Sequence, residues 1–166
     1  MIKKILITLL ALLIMIQFFR PKKNNLIAAS PNDILLHFAV PSTVQDVLKK
    51  SCYDCHSNNT VYPWYNKIQP VAWWLQNHIN GGKHQLNFNE FASYPPKKQY
   101  HKLKDIVDTQ NDGSMPLDSY LWIHKDAILN KEQKANLVKW ADSLGREIKA
   151  KYNLPDEPER GRKNGS

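Results

Sequence analysis

Ser51-Cys52-Tyr53-Asp54-Cys55-His56-Ser57 holds both cysteines of the 166-residue chain. Their spacing is C-x-x-C-H, the attachment sequence of a c-type haem. Two thiols three residues apart can each form a thioether to one vinyl group of a single porphyrin. The histidine that follows is then carried beneath the iron. Cys52 and Cys55 are the expected attachment positions and His56 the expected proximal ligand. The far ring nitrogen of His56 needs a backbone carbonyl to fix the ring and its basicity, and Pro63 or Pro70 could offer one. Two other readings stand beside this one. A redox dithiol of the thioredoxin kind wants a βαβ context, and no alternating strand pattern is present. A structural zinc wants four Cys or His ligands, and there is no second cysteine pair.

Reading upstream, Ser42-x-x-Gln45 has the form of a capping box, and Val44, Val47 and Leu48 fall on one helical face. That pattern predicts a helix running straight into Cys52. Downstream, residues 57–70 are irregular, with Asn58-Asn59, Pro63 and Pro70. Val71 to Asn80 predicts a helix stopped by Gly81-Gly82. Asn87-x-x-Glu90 marks a second capping box over a short turn ending at Pro95-Pro96. Lys97 to Thr109 is amphipathic, with Tyr100, Leu103, Ile106 and Val107 inward, and Asn111-Asp112-Gly113 ends it. Asn130-x-x-Gln133 caps a last helix whose inward stripe is Leu137, Val138, Trp140, Ala141, Leu144 and Ile148. With no strand pattern and no repeat, the expected fold is all-α.

A sixth iron ligand is sought among the remaining sulfur and imidazole groups. Past the N-terminal segment the single methionine is Met115, in the loop Gly113-Ser114-Met115-Pro116-Leu117. Pro116 disfavours helical backbone at Met115, so its thioether can be swung over a haem face. Met/His ligation raises the reduction potential, whereas a lone Met is otherwise a core filler. His78, His84, His101 and His124, or an open position, are the alternatives, and each histidine also reads as a plain surface or core residue, as does His37. Tyr62, Trp64, Tyr65, Trp73 and Trp74 cluster after the motif, as pocket lining or as ordinary packing. Lys97, Lys98, Lys102 and Lys104 form either a steering patch for an acidic partner or a solvated helix face.

The formal charge of +8 resembles a nucleic-acid signal until its distribution is read. Lys3, Lys4, Arg20, Lys22 and Lys23 flank an apolar run from Ile5 to Phe19, and the rest of the chain is nearly balanced. The basicity belongs to the flanks of that run, so nucleic acid is not the expected partner. Fifteen helical residues span about 22 Å against a hydrocarbon core of ~30 Å, and counting from Met1 with snorkelling lysines reaches about 28 Å. A retained anchor is the first expectation and a cleaved signal the second. Both place the domain outside the cytoplasm. The expected organisation is an anchor or signal over residues 1–20, a linker over 21–30, a haem domain over 31–152 and a disordered tail over 153–166.

The chain resembles the bacterial haem-binding-domain proteins, relatives of c-type cytochromes. The residues that carry the likeness are Ser51–Ser57, Pro63-Trp64-Tyr65, Ile68-Gln69-Pro70-Val71, Leu86-Asn87-Phe88 and Met115-Pro116-Leu117, spread over Pro41 to Leu144. The resemblance implies a cytochrome c-like helical fold around one covalent haem. It also implies attachment at Cys52 and Cys55, ligation by His56 and an axial role for Met115. Fold and cofactor do not fix the reaction. The expectation is a c-type cytochrome tethered to the cytoplasmic membrane and facing the periplasm or exterior, which passes electrons to redox proteins there. A haem sensor or peroxidase-like protein with a labile sixth ligand is the alternative, and a haem-free module with a disulfide is the third.

Overall fold

The computed structural model describes residues 1–26 and 29–155, and the tail read as disordered lies for the most part outside them. Among the described residues eight α-helices follow one another: α1 Ile2–Ile16, α2 Ile34–His37, α3 Ser42–Ser51, α4 Tyr53–His56, α5 Val71–Gln85, α6 Pro96–Asp112, α7 Asp118–Leu121 and α8 Lys131–Lys151. Short 3-10 turns occupy Trp64–Lys67, Phe88–Ser93 and Lys125–Ala127. Among the described residues the one β feature is an isolated bridge between Asn25 and Asn59. The expected all-α class holds.

The core grows from the apolar stripes. Val44, Val47 and Leu48 of α3, Leu103 and Ile106 of α6, and Leu137, Trp140, Ala141, Leu144 and Ile148 of α8 are buried together with Phe88 and Phe91. Each fully buried side chain of this kind stabilises by roughly 1.5–3 kcal/mol relative to exposure. The long pair α6 and α8 forms the main wall, and α3 lies across α8. Trp140 ties α8 to the chain before α3 by donating from Nε1 to the Ala39 carbonyl at 3.1 Å.

Helix ends separate motifs that form from motifs that do not. Asn130 and Gln133 make the full reciprocal capping box, and Gly113 ends α6 in the left-handed region at φ 75°, a conformation that suits glycine. Ser42 does not cap α3. Pro41 holds that place, and Gln45 donates instead to the Val40 carbonyl at 2.8 Å. Asn87 caps a 3-10 turn by accepting from Asn89 N, while Glu90 turns away to Asn58 and Asn32. The predicted stop at Gly81-Gly82 is also corrected, because α5 continues through both glycines to Gln85. A Cβ at Gly82 would meet Cys55 Cβ and Cys55 O at 3.0 Å. The glycine serves close approach of α5 to α4, and packing overrides its poor helix propensity.

At the N-terminus, α1 is apolar and none of its residues is buried. Among the described residues no helix is long and apolar enough to cross a membrane. The segment read as a linker folds against the loop after His56. The Asn24 side chain is buried and donates to Ser57 O at 2.9 Å and Thr60 Oγ1 at 3.0 Å, and Leu26 N donates to Asn58 O at 3.1 Å.

Candidate haem site

Helix α3 ends at Ser51, whose hydroxyl donates to Ala127 O at 2.9 Å. The backbone then makes a single turn, α4, that carries Cys52, Cys55 and His56 on its rim. Two adjoining cavities of about 300 and 340 Å³ open beside it and share Ser51, Cys52, His56, Gln85, Met115 and Pro116. Leu48, Leu86, Phe88, Ile106 and Leu137 wall the first, while Cys55, Gly82, Leu117 and Tyr120 line the second. Each is of the size that cofactor clefts take. Sequence reading chose Cys52, Cys55, His56 and Met115, residues spread over 64 positions, and the fold brings all four to this one place.

Both cysteines are free thiols. Burial pushes the Cys52 thiol up to about 12, with the Cys55 thiol adding to the effect. Burial likewise raises Cys55 to about 11, helped by Asp54. A disulfide-exchange centre needs a depressed thiol pKa, so the redox-dithiol reading loses support. Among the described residues no three His, Cys, Asp or Glu side chains gather as a metal cluster, and a structural zinc would need four such ligands.

His56 Nδ1 lies 3.0 Å from the Leu86 carbonyl. This corrects the expectation of Pro63 or Pro70 as acceptor. With Nδ1–H donating there, Nε2 is the nitrogen left for iron, in the arrangement that metal-bound histidines adopt. Burial holds the imidazole below its usual range, against the pull of the Leu86 and Gly82 carbonyls. Burial thus favours the neutral ring, the form that coordinates metals.

Leu86 N donates to Gly82 O, and the next residue, Asn87, belongs to a buried amide network. Asn87 Nδ2 donates to Asn58 Oδ1 at 2.8 Å, Asn58 N to Asn89 Oδ1 at 2.7 Å, and Asn58 Nδ2 to Glu90 Oε1 at 2.7 Å. Asn89 in turn bonds Asp33, and Lys83 Nζ reaches Asn24 Oδ1 at 2.7 Å. The loop after the haem motif and the strand-like turn bearing Leu86 are thus one unit, and the ring plane of His56 is set by it. Asp54 fixes the other side. Its Oδ2 accepts from Tyr120 OH at 2.8 Å, its Oδ1 from Val61 N at 3.0 Å, and its carbonyl from Thr60 Oγ1 at 2.6 Å.

Met115 stands at the lip of both cavities, 37 % exposed, on a loop held by Gln110 Nε2 donating to Met115 O at 3.1 Å. Of the alternative ligands, His78 lines the second cavity and His84, His101 and His124 line neither. His78 is engaged through Nδ1 with Trp74 O at 2.9 Å, and His37 meets Pro31 O at 2.7 Å. The aromatic cluster is not the pocket lining. Trp64, Trp73 and Trp74 are exposed, and Tyr62 OH accepts from Asn24 N and donates to Gln76 Oε1. Phe88 takes the lining role, stacked on Tyr53 at 5.4 Å between centroids. Of the four lysines, Lys102 lines the first cavity and pairs with Asp105 at 2.9 Å, and Lys98 lies over the Tyr94 ring at 3.9 Å.

Several parts of the site act in ways that their side chains do not announce. Leu86 contributes a backbone oxygen, which any residue could supply. Tyr120 lies 66 positions from Asp54. Gly82 does carry a signal, a glycine inside an otherwise helical run, and its use is close packing on Cys55 rather than a stop.

The residues present fit a haem: an imidazole held through Nδ1, a thioether on the same cavities, two thiols on the rim and apolar walls. The pattern of the haem-binding-domain family matches residues 11–143. No curated protein and no solved structure matches the chain. The match covers most of the chain, from the second half of α1 to α8, and the chain belongs to the haem-binding-domain family.

Proposed function

We propose that the protein is an exported, membrane-tethered c-type cytochrome that carries one haem and transfers electrons. The observation that carries this reading is the meeting of His56 and Met115 on the same two cavities with Cys52 and Cys55 at their rim. Cys52 and Cys55 would hold the haem by thioethers, and His56 Nε2 and the Met115 thioether would bind its iron. Bound there, the haem supplies a one-electron Fe(III)/Fe(II) couple whose potential Met/His ligation raises.

The chain's own residues do the positioning. The Leu86 carbonyl orients His56 and increases its basicity. Gln110 holds the Met115 loop at the cavity mouth. Leu48, Leu86, Phe88 and Ile106 keep one wall dry, and a low local dielectric strengthens electrostatic control of the potential. Tethering is supported by the apolar, unburied α1 and its cationic flanks, and export by the need to attach haem outside the cytoplasm.

The exposure of Met115 favours one second reading, a haem sensor or peroxidase-like protein in which that ligand gives way. Carbon monoxide added to the reduced protein separates the two. An electron carrier with Met115 firmly on the iron keeps its spectrum, and rapid, complete carbon monoxide binding would overturn the carrier reading.

A further inference from the structure

The aromatic cluster that does not line the haem site sits where α1 meets the domain. Gln17 and Gln69 pair through both ends of the Gln17 amide, Gln69 N donating to Oε1 at 2.9 Å and Nε2 donating to Gln69 O at 3.3 Å. The Phe19 carbonyl accepts twice, from Gln69 Nε2 at 2.8 Å and from Trp73 Nε1 at 2.8 Å. Gln69 is almost fully buried. The end of α1 and the chain just beyond it are thus fastened by four hydrogen bonds, three to Gln69 just before α5 and one to Trp73 in its first turn, and the family match begins at residue 11, so this junction lies inside the shared domain.

On the segments that meet at the junction, close to it in sequence, Phe18, Phe19, Trp64, Ile68, Val71 and Trp74 are exposed. A cluster of large apolar side chains on a surface marks something that covers it. The charges say what. Met1 to Asn32 and His56 to Asn89, the two segments that build the junction, contain no Asp or Glu, and they hold seven of the chain's Lys and Arg residues. Arg20, Lys22, Lys23 and Lys67 are the nearest in sequence to the patch. Tryptophan beside cations is the composition of a membrane–water interface, where indole sits at headgroup level and Lys or Arg meets anionic lipid. The length of α1 points the same way. Its 15 residues reach about 22 Å against ~30 Å of hydrocarbon, and a short span is accommodated by interfacial anchors and local thinning.

We propose that this patch is a seat on the headgroup layer of an anionic phospholipid membrane, which together with α1 holds the haem domain in one orientation. The inference rests on the reading of α1 as membrane-inserted. The test compares two tryptophans of nearly equal exposure, Trp64 at 74 % and Trp122 at 72 %. Full-length haem-loaded protein is reconstituted in phosphatidylcholine vesicles containing phosphatidylglycerol and oxidised with hydroxyl radicals from pulsed radiolysis. Mass spectrometry then reads each site, with Met15 in α1 reporting on insertion.

Oxidation of Trp64 several-fold slower than that of Trp122, unchanged when the protein-to-lipid ratio is lowered, is the expected result. Equal rates at the two tryptophans with Met15 protected would overturn the seat and leave the anchor standing. Protection of Trp64 that disappears on lowering the ratio would assign the patch to a second copy of the chain and also overturn it. Failure to float with vesicles, with Met15 oxidised freely, would remove the anchor reading and the seat with it.

Discussion

Replacing either of two adjacent glycines in α5 by alanine has opposite expected effects, and the pair isolates the contact that holds the haem-motif turn. At Gly82 the new Cβ would lie 3.0 Å from Cys55 Cβ and 3.0 Å from Cys55 O, with the carbonyl carbon at 3.4 Å. Two of those atoms are backbone, and the turn is pinned by Cys55 N and His56 N donating to Cys52 O at 3.2 and 2.9 Å. Neither can swing aside, so α5 must move off α4. At Gly81 nothing lies within 4 Å. Both substitutions gain helix propensity of about 1 kcal/mol, and Gly82→Ala alone adds an overpacking cost of about 1–3 kcal/mol.

The propensity gain cancels between the two variants, leaving the overpacking cost as their difference. For a chain of this size that separates their melting temperatures by roughly 2–12 °C, taking 2–4 °C per kcal/mol. Gly81→Ala is expected to melt at or above the parent and Gly82→Ala below Gly81→Ala. Thermal unfolding of the haem-loaded proteins, followed by far-ultraviolet circular dichroism, measures it. Gly82→Ala melting as high as Gly81→Ala would refute the close-approach argument.

Met115→Ala is expected to lower the reduction potential and admit carbon monoxide, read by spectroelectrochemistry; unchanged spectra would exclude Met115 as ligand. Tyr120→Phe removes the bond to Asp54 Oδ2. Burial, reinforced by Asp54, raises the Tyr120 pKa, so the hydroxyl stays a donor, and its loss should cost about 1–2 kcal/mol in denaturant unfolding without loss of haem. Burial tends to raise the Glu90 pKa, but hydrogen bonds from Asn58, Asn32 and Ser30 and the Lys83 charge outweigh it and hold the carboxyl below the usual range. A depressed acid contributes stability above its unfolded pKa and loses it as pH falls through the folded one. Stability should therefore decline on acidification below about pH 4.3, and the Glu90→Gln variant should show a flatter acid limb; equal slopes would contradict the network.

Local signals in the sequence were reliable where one element satisfied itself. Asn130 with Gln133 and Gly113 after α6 appear as read, as does the stripe of α3; those of α6 and α8 do so in the main, with Tyr100 and Val107 only partly buried and Val138 outside the core. Signals that compete with packing failed. Gly81-Gly82 looked like a helix end because glycine is a poor helix former, but contact with Cys55 decides its use. Ser42 and Gln45 had the letters of a capping box, yet Pro41 precedes them and takes the cap position. The tryptophans follow the motif and read equally as cofactor lining or ordinary packing, yet Trp64, Trp73 and Trp74 are exposed, and Trp73 Nε1 donates to the Phe19 carbonyl. Of the candidate site, the sequence singles out Cys52, Cys55, His56 and Met115, four side chains that line one cavity. The site was illegible in its supports, since the Leu86 carbonyl and the Asn24, Asn58 and Asn87 amides act through backbone or through residues common in loops.

The most direct test of the central claim is the reduced spectrum of the denatured protein in alkaline pyridine, taken after acid–acetone extraction of protein matured with a cytochrome c assembly system. Covalent attachment through Cys52 and Cys55 predicts a c-type haem band that stays with the polypeptide at one haem per chain. Complete extraction of the haem, from a preparation in which a control cytochrome retains its own, would contradict it.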